Sequence, residues 1–140
     1  MWAPHGIFRA FQQQCEGRIE RIKAYIALRT NGDLSVEELA ELLYRITNLE
    51  EQRHSMETAW AKHLADVQKW GTATGQKEPG EELLQLLSEI CEHVDECLEK
   101  SRYFYEMKST ARVRTLTTAT LVSGELPAKE PKSNNIEVAD

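Results

Sequence analysis

Apolar residues in the first thirty positions recur at alternating three- and four-residue steps, through Phe8, Phe11, Cys15, Ile19, Ile22 and Ile26. This predicts a helix over about residues 7–29 with a single apolar stripe. Asn31-Gly32-Asp33 ends it, because Gly and Asn readily take the left-handed conformation just past a helix terminus. The strongest local start signal follows. Ser35 is placed to cap a helix, Glu38 to reach back to the Ser35 amide, and Leu34 and Leu39 to form a hydrophobic staple. From there Leu39, Leu42, Ile46, Leu49, Met56, Trp60, Leu64 and Val67 keep nearly heptad spacing, with polar Arg53 in the one missing slot. The pattern predicts a helix over about residues 36–70, roughly 50 Å long at 1.5 Å per residue.

Three glycines and a proline between Gly71 and Gly80 predict a loop. A third helix is expected over about residues 81–112, with acidic residues in its first turn, where the helix dipole favours them. Its stripe runs through Leu83, Leu87, Ile90, Val94, Cys97, Ser101, Phe104, Lys108 and Ala111 without a slip. Leu84, Leu86, Cys91, Leu98 and Tyr105 widen that stripe beyond a two-stranded seam, so the helix needs two neighbours. After Arg114 the periodicity stops. Thr115 to Val122 has strand-like composition without a partner strand, and Gly124 to Asp140 is polar and contains prolines. The expected architecture is all-α: a three-helix antiparallel, coiled-coil-like bundle over residues 1–114 and a flexible tail over 115–140. Leu42, Ile46, Leu49, Trp60, Leu87, Ile90 and Val94 are the residues expected to carry the core and any interface. No repeat of 20 to 50 residues is visible.

Composition narrows the class. At 140 residues the chain has room for one core, and its 41% apolar and 29% charged residues suit long helices with wide solvated faces. A net charge of −6 means that the molecule as a whole repels nucleic acid and anionic lipid, so such binding requires a local basic patch. Charge is unevenly placed. Residues 1–30 carry a net +3, residues 81–99 a net −7, and residues 100–114 a net +4. In an up-down-up bundle the ends of the first and third helices share a pole. Arg18, Arg21, Lys108, Arg112 and Arg114 are therefore candidate phosphate ligands at that pole, partly neutralised by Glu37, Glu38 and Glu41. Against this stands the ordinary role of cations at a helix C-terminus.

Cys15, Cys91 and Cys97 are odd in number and lie within helical patterns, which fits a reducing compartment and not a disulfide framework. The first residues lack the basic and apolar regions of a secretory signal, Trp2 stands where myristoylation needs glycine, and no stretch approaches 18 uncharged apolar residues. A cytoplasmic location is expected. His93 and Cys97 are four apart on one helix face, but the cysteines sit on the apolar stripe and no second ligand pair exists, so packing is the preferred reading. His54 and His63, nine apart, do not pair as ligands; Glu37-Glu38 and Glu50-Glu51 are adjacent and read as solvated surface. Phosphate-loop, dinucleotide and nucleophile-elbow motifs are absent from the sequence. No catalytic residue, metal, cofactor or small-molecule substrate is assigned.

The order of segments resembles the N-terminal helical region of Gag-type polyproteins from Bel/Pao-class LTR retroelements. One matching segment is Gly17-Arg18-Ile19-Glu20-Arg21-Ile22-Lys23-Ala24-Tyr25-Ile26. A second runs from Leu39 to Glu51, and the aromatic and charged run Arg102-Tyr103-Phe104-Tyr105-Glu106 and then Leu126-Pro127 follow. The resemblance covers roughly residues 10–130 and rests on amphipathic patterns. It implies a scaffold role in self-association or particle assembly. The functional expectation is a non-enzymatic helical interaction module, homo-oligomeric through exposed parts of its stripes. The alternative is a nucleic-acid or anionic-membrane binder using the basic pole.

Overall fold

Pro4 opens the first helix, where its fixed φ is already helical and its missing N–H would be unpaired in any case. In the computed structural model, which describes residues 4–74 and 80–123, α1 runs Pro4–Ala27, α2 Val36–Thr74 and α3 Glu81–Ser123. At 1.5 Å per residue these are about 36, 58 and 64 Å long. No strand occurs among the described residues. The all-α, three-helix architecture read from periodicity is the observed one.

The turn between α1 and α2 forms as its residues require. Gly32 takes a positive φ of 80°, a conformation that costs a residue with a Cβ far more than glycine. Ser35 N–H donates to Glu38 Oε1 at 3.0 Å and Glu38 N–H to Ser35 Oγ at 3.0 Å, so the capping box closes in both directions. Leu34 and Leu39 of the staple are both buried.

Helix direction is fixed by contacts at both ends. His5 approaches Glu82 at one pole, and Lys108 reaches Thr30 and Gly32 at the other, so α1 and α3 are parallel. Gln52 donates to Gln14 and Tyr25 to Glu38 O, while Arg102 meets Glu50 and Arg53 meets Asp95, so α2 runs antiparallel to both. The core is one cluster drawn from all three stripes. It includes Phe8, Cys15, Ile19 and Ile22 of α1, Leu42, Ile46, Leu49 and Met56 of α2, and Leu83, Ile90 and Val94 of α3.

Two boundaries differ from the sequence reading. The break placed at Gly71 falls later, because α2 continues through Thr74; residues 75–79 lie outside the described residues. The tail expected from residue 115 is helical up to Ser123, while 124–140 lie outside the described residues. The physical reason is propagation. Once more than thirty residues of α3 are formed, each added threonine or valine costs only a few tenths of a kcal/mol, and no glycine or proline interrupts before Gly124. Thr115 Oγ1 also donates to Asp33 Oδ2 at 2.9 Å, holding the start of this extension to the turn.

Candidate functional site

The residues expected to serve both core and interface lie inside the molecule. Leu42, Ile46, Leu49, Ile90 and Val94 are buried, and Trp60 and Leu87 are half-buried against the same cluster. Their apolar area is already used in packing α1, α2 and α3 together. Any surface for a partner has to be built from other side chains.

Those side chains are unevenly distributed. Of eleven exposed large apolar residues among the described positions, eight lie in the half of the bundle where α1 ends: Leu28, Val36, Leu43 and Tyr44, and on α3 Tyr103, Met107, Val113 and Leu116. Only Ile7, Trp70 and Leu84 belong to the other half. α1 has 24 residues against 43 in α3, and with Lys108 level with Thr30 and Gly32 the part of α3 beyond about that residue outruns α1. Single exposed apolar residues are ordinary, and contiguous groups of them are what contact surfaces are built from. Sequence reasoning missed these positions because they fall off the principal stripes.

The five basic candidates do not converge. Arg18 and Arg21 lie nine and six residues before the end of α1, about 14 and 9 Å below it, alongside the acidic part of α3. Lys108 is 8% exposed, and its Nζ donates to Thr30 O at 2.9 Å and Gly32 O at 2.7 Å. It therefore caps the carbonyls that follow α1, across the bundle, and is not available to a phosphate. Arg112 is half-buried with its Nε out of solvent, so the exposed members are Arg114 at this pole and Arg21 farther down α1. Two of the acidic residues at the start of α2 are also engaged. Glu38 meets Arg29 at 3.2 Å and Glu41 meets Arg45 at 2.7 Å. The Ser35 N–H, with Arg29 beside it, holds the Glu38 carboxyl below the usual carboxylate range. Tyr25 completes this corner, donating to Glu38 O at 3.2 Å, with the Arg29 guanidinium 3.6 Å from its ring centre.

Among the described residues, two grooves lie between α1 and α3. One, of about 880 Å³, opens between the helix starts and is lined by His5, Arg9, Glu81, Glu82 and Glu89 among others. The second, of about 330 Å³, lies farther along between Glu16, Glu20 and Lys23 of α1 and His93, Glu96 and Lys100 of α3, with Cys97 at its floor. Burial pushes the Cys97 thiol up, and pushes Cys15 up to about 11 against the pull of Arg18. Both thiols are therefore held protonated, the opposite of what a nucleophile needs. No group of three or more potential ligands is placed to hold a metal among the described residues. No described helix is long and apolar enough to cross a membrane.

His63 was not on the stripe read from the sequence, which used Leu64. Yet Met56, Trp60, His63 and Val67 step four, three and four, and His63 is 6% exposed. That regular spacing was the signal available. Its ring lies 5.3 Å from Trp60 and 6.1 Å from Phe8, centre to centre. Burial lowers its pKa below 6.5, with Asp66 opposing and His5 reinforcing the shift. A depressed histidine pKa means that the unfolded chain binds the proton more readily, so stability is complete above about pH 6.5 and declines as pH falls below it. Urea unfolding at pH 7.5 and 5.5 is expected to show this decline in the natural chain and a flatter response in His63→Phe. An equal decline in both would assign the effect elsewhere.

No protein-family model matches the chain, and comparison with curated proteins and with solved structures gives no match.

Proposed function

We propose that the chain is a non-enzymatic helical interaction module that assembles with copies of itself, in a reducing cytoplasm that suits its three free cysteines. The observation that carries this reading is the concentration of exposed apolar side chains on the half of the bundle where α1 ends. A module that finished its work in the monomer has no reason to collect Leu28, Val36, Tyr44, Tyr103 and Leu116 at one end. The resemblance of residues 17–26 and 39–51 to the helical region of Gag-type polyproteins agrees with an assembly role.

Size-exclusion chromatography with light scattering tests it. The expected mass rises with concentration from that of the 16.0 kDa chain toward at least twice that value. A constant monomer mass up to about millimolar concentration, the range of the weakest specific association, overturns the reading.

A further inference from the structure

Beside its core stripe, α3 carries a second periodic row. Glu82, Glu89, Glu96 and Tyr103 follow one another at seven-residue intervals, and so do His93, Lys100, Met107 and Arg114. All eight side chains are exposed. The two series are offset by three and four residues, so they form one continuous row with the spacing of a coiled-coil seam but charged at most positions; α1 flanks it across the two grooves, and its side chains stay exposed. Where α1 ends, Tyr103 stands 69% and Met107 46% exposed on this seam.

The charges along the seam are arranged about its middle. Leu98 is the midpoint: Glu96 and Lys100 lie two residues either side, His93 and Tyr103 five, Glu89 and Met107 nine, and Glu82 and Arg114 sixteen. Turned end for end, the acidic series therefore falls opposite the other series. Glu82 meets Arg114 of the second copy, and Glu96 meets Lys100 of the second copy. Tyr103 packs on His93, and Met107 covers the aliphatic part of Glu89. Antiparallel coiled coils mate their two core series in this crossed manner, whereas a parallel pair sets glutamate on glutamate and cation on cation.

The geometry points to an antiparallel, two-fold dimer in which α3 of one copy lies on α3 of another along this seam, over the groove beside α1. This names the partner and surface for the self-assembly reading and rests on it. The groove beside the seam adds Glu81 to the same balance. Its wider part is acidic, with Glu81, Glu82 and Glu89 against the single formal positive charge of Arg9, and it receives the end of α3 that carries Arg114. That end has no acidic residue from Met107 to Ser123. At the dyad, the intrahelical Glu96–Lys100 pair, 3.0 Å apart, is doubled into a four-charge cluster. Two-fold closure uses one patch twice and leaves no open end for further growth.

A charge-swap experiment on the full chain tests the arrangement. One variant carries Glu82→Lys and Glu96→Lys, the other Lys100→Glu and Arg114→Glu; all four side chains are exposed, and circular-dichroism melts check that each variant folds. Each variant alone is expected to dimerise at least tenfold more weakly than the natural chain. Their equimolar mixture is expected to recover association to within about threefold, because each altered half then meets its complement. If both variants dimerise as the natural chain does, or the mixture is no tighter than its components, the antiparallel seam is wrong while self-assembly stands. A natural chain that stays monomeric at every concentration overturns both.

Discussion

Lys108→Met is expected to lower the unfolding free energy by about 2–3 kcal/mol, an unusually large effect for a lysine. Hydrogen bonds that involve a charged group contribute about 1.5–3 kcal/mol each, and Lys108 makes two, to Thr30 O and Gly32 O. Part of that gain offsets the desolvation of a buried ammonium group, which sets the net value below the sum. Methionine keeps a long unbranched side chain in place and removes the ammonium, with its two hydrogen bonds and its 5.5 Å approach to the Phe104 ring, so the loss reports the charged group and not a cavity. Chemical denaturation measures the free energy, and amide hydrogen exchange over residues 28–34 locates it. A cost below about 0.5 kcal/mol, the range of ordinary surface changes, would show that water replaces the ammonium at those carbonyls.

Leu49→Ala is expected to cost about 2–5 kcal/mol, the range found when a fully enclosed leucine is truncated and its cavity only partly collapses. Leu49 has no exposed surface and sits in the cluster shared by all three helices. The helices on both sides are long and held at several levels, including Arg53 between Glu57 at 3.1 Å and Asp95 at 3.2 Å, so the site cannot close freely. Leu43→Ala, one turn and a half away on the same helix but 45% exposed, is the contrast and is expected to cost under about 1 kcal/mol. Equal losses at the two positions would mean that the core is placed wrongly on α2. Together with Lys108, the pair separates two kinds of support: burial that any stripe residue supplies, and one polar side chain that joins segments 76 and 78 residues apart.

The stripes of α1, α2 and α3 were legible because burial on one side of a helix imposes a 3.6-residue period that no tertiary detail can erase. The capping box at Ser35 and Glu38 was legible for the same reason, since both partners are local. Helix ends were less so. Thr115 and Leu116 have the composition of a strand, and Gly71 that of a loop, yet both lie in helices, because continuing a formed helix costs less than local preference suggests. The basic pole was misread for a geometric reason. Net charge over a window of thirty residues does not say at what height a side chain stands, and Arg18 and Arg21 are too far from the end of α1 to join Arg114.

By itself the sequence determined the number of helices, their buried faces and the turn that reverses the chain after α1, because these follow from local spacing and backbone chemistry. The charge pattern that makes the outer row of α3 complementary to itself was also present in the sequence, but without a reason to choose it over other rows. Tertiary structure supplied that reason. By packing α1 and α2 on one side of α3, it covered one stripe, engaged Lys108 with the turn and left the row through Glu96, Tyr103, Met107 and Arg114 in solvent. Exposure depends on what lies alongside, and no periodicity within a single helix encodes where its neighbours pack.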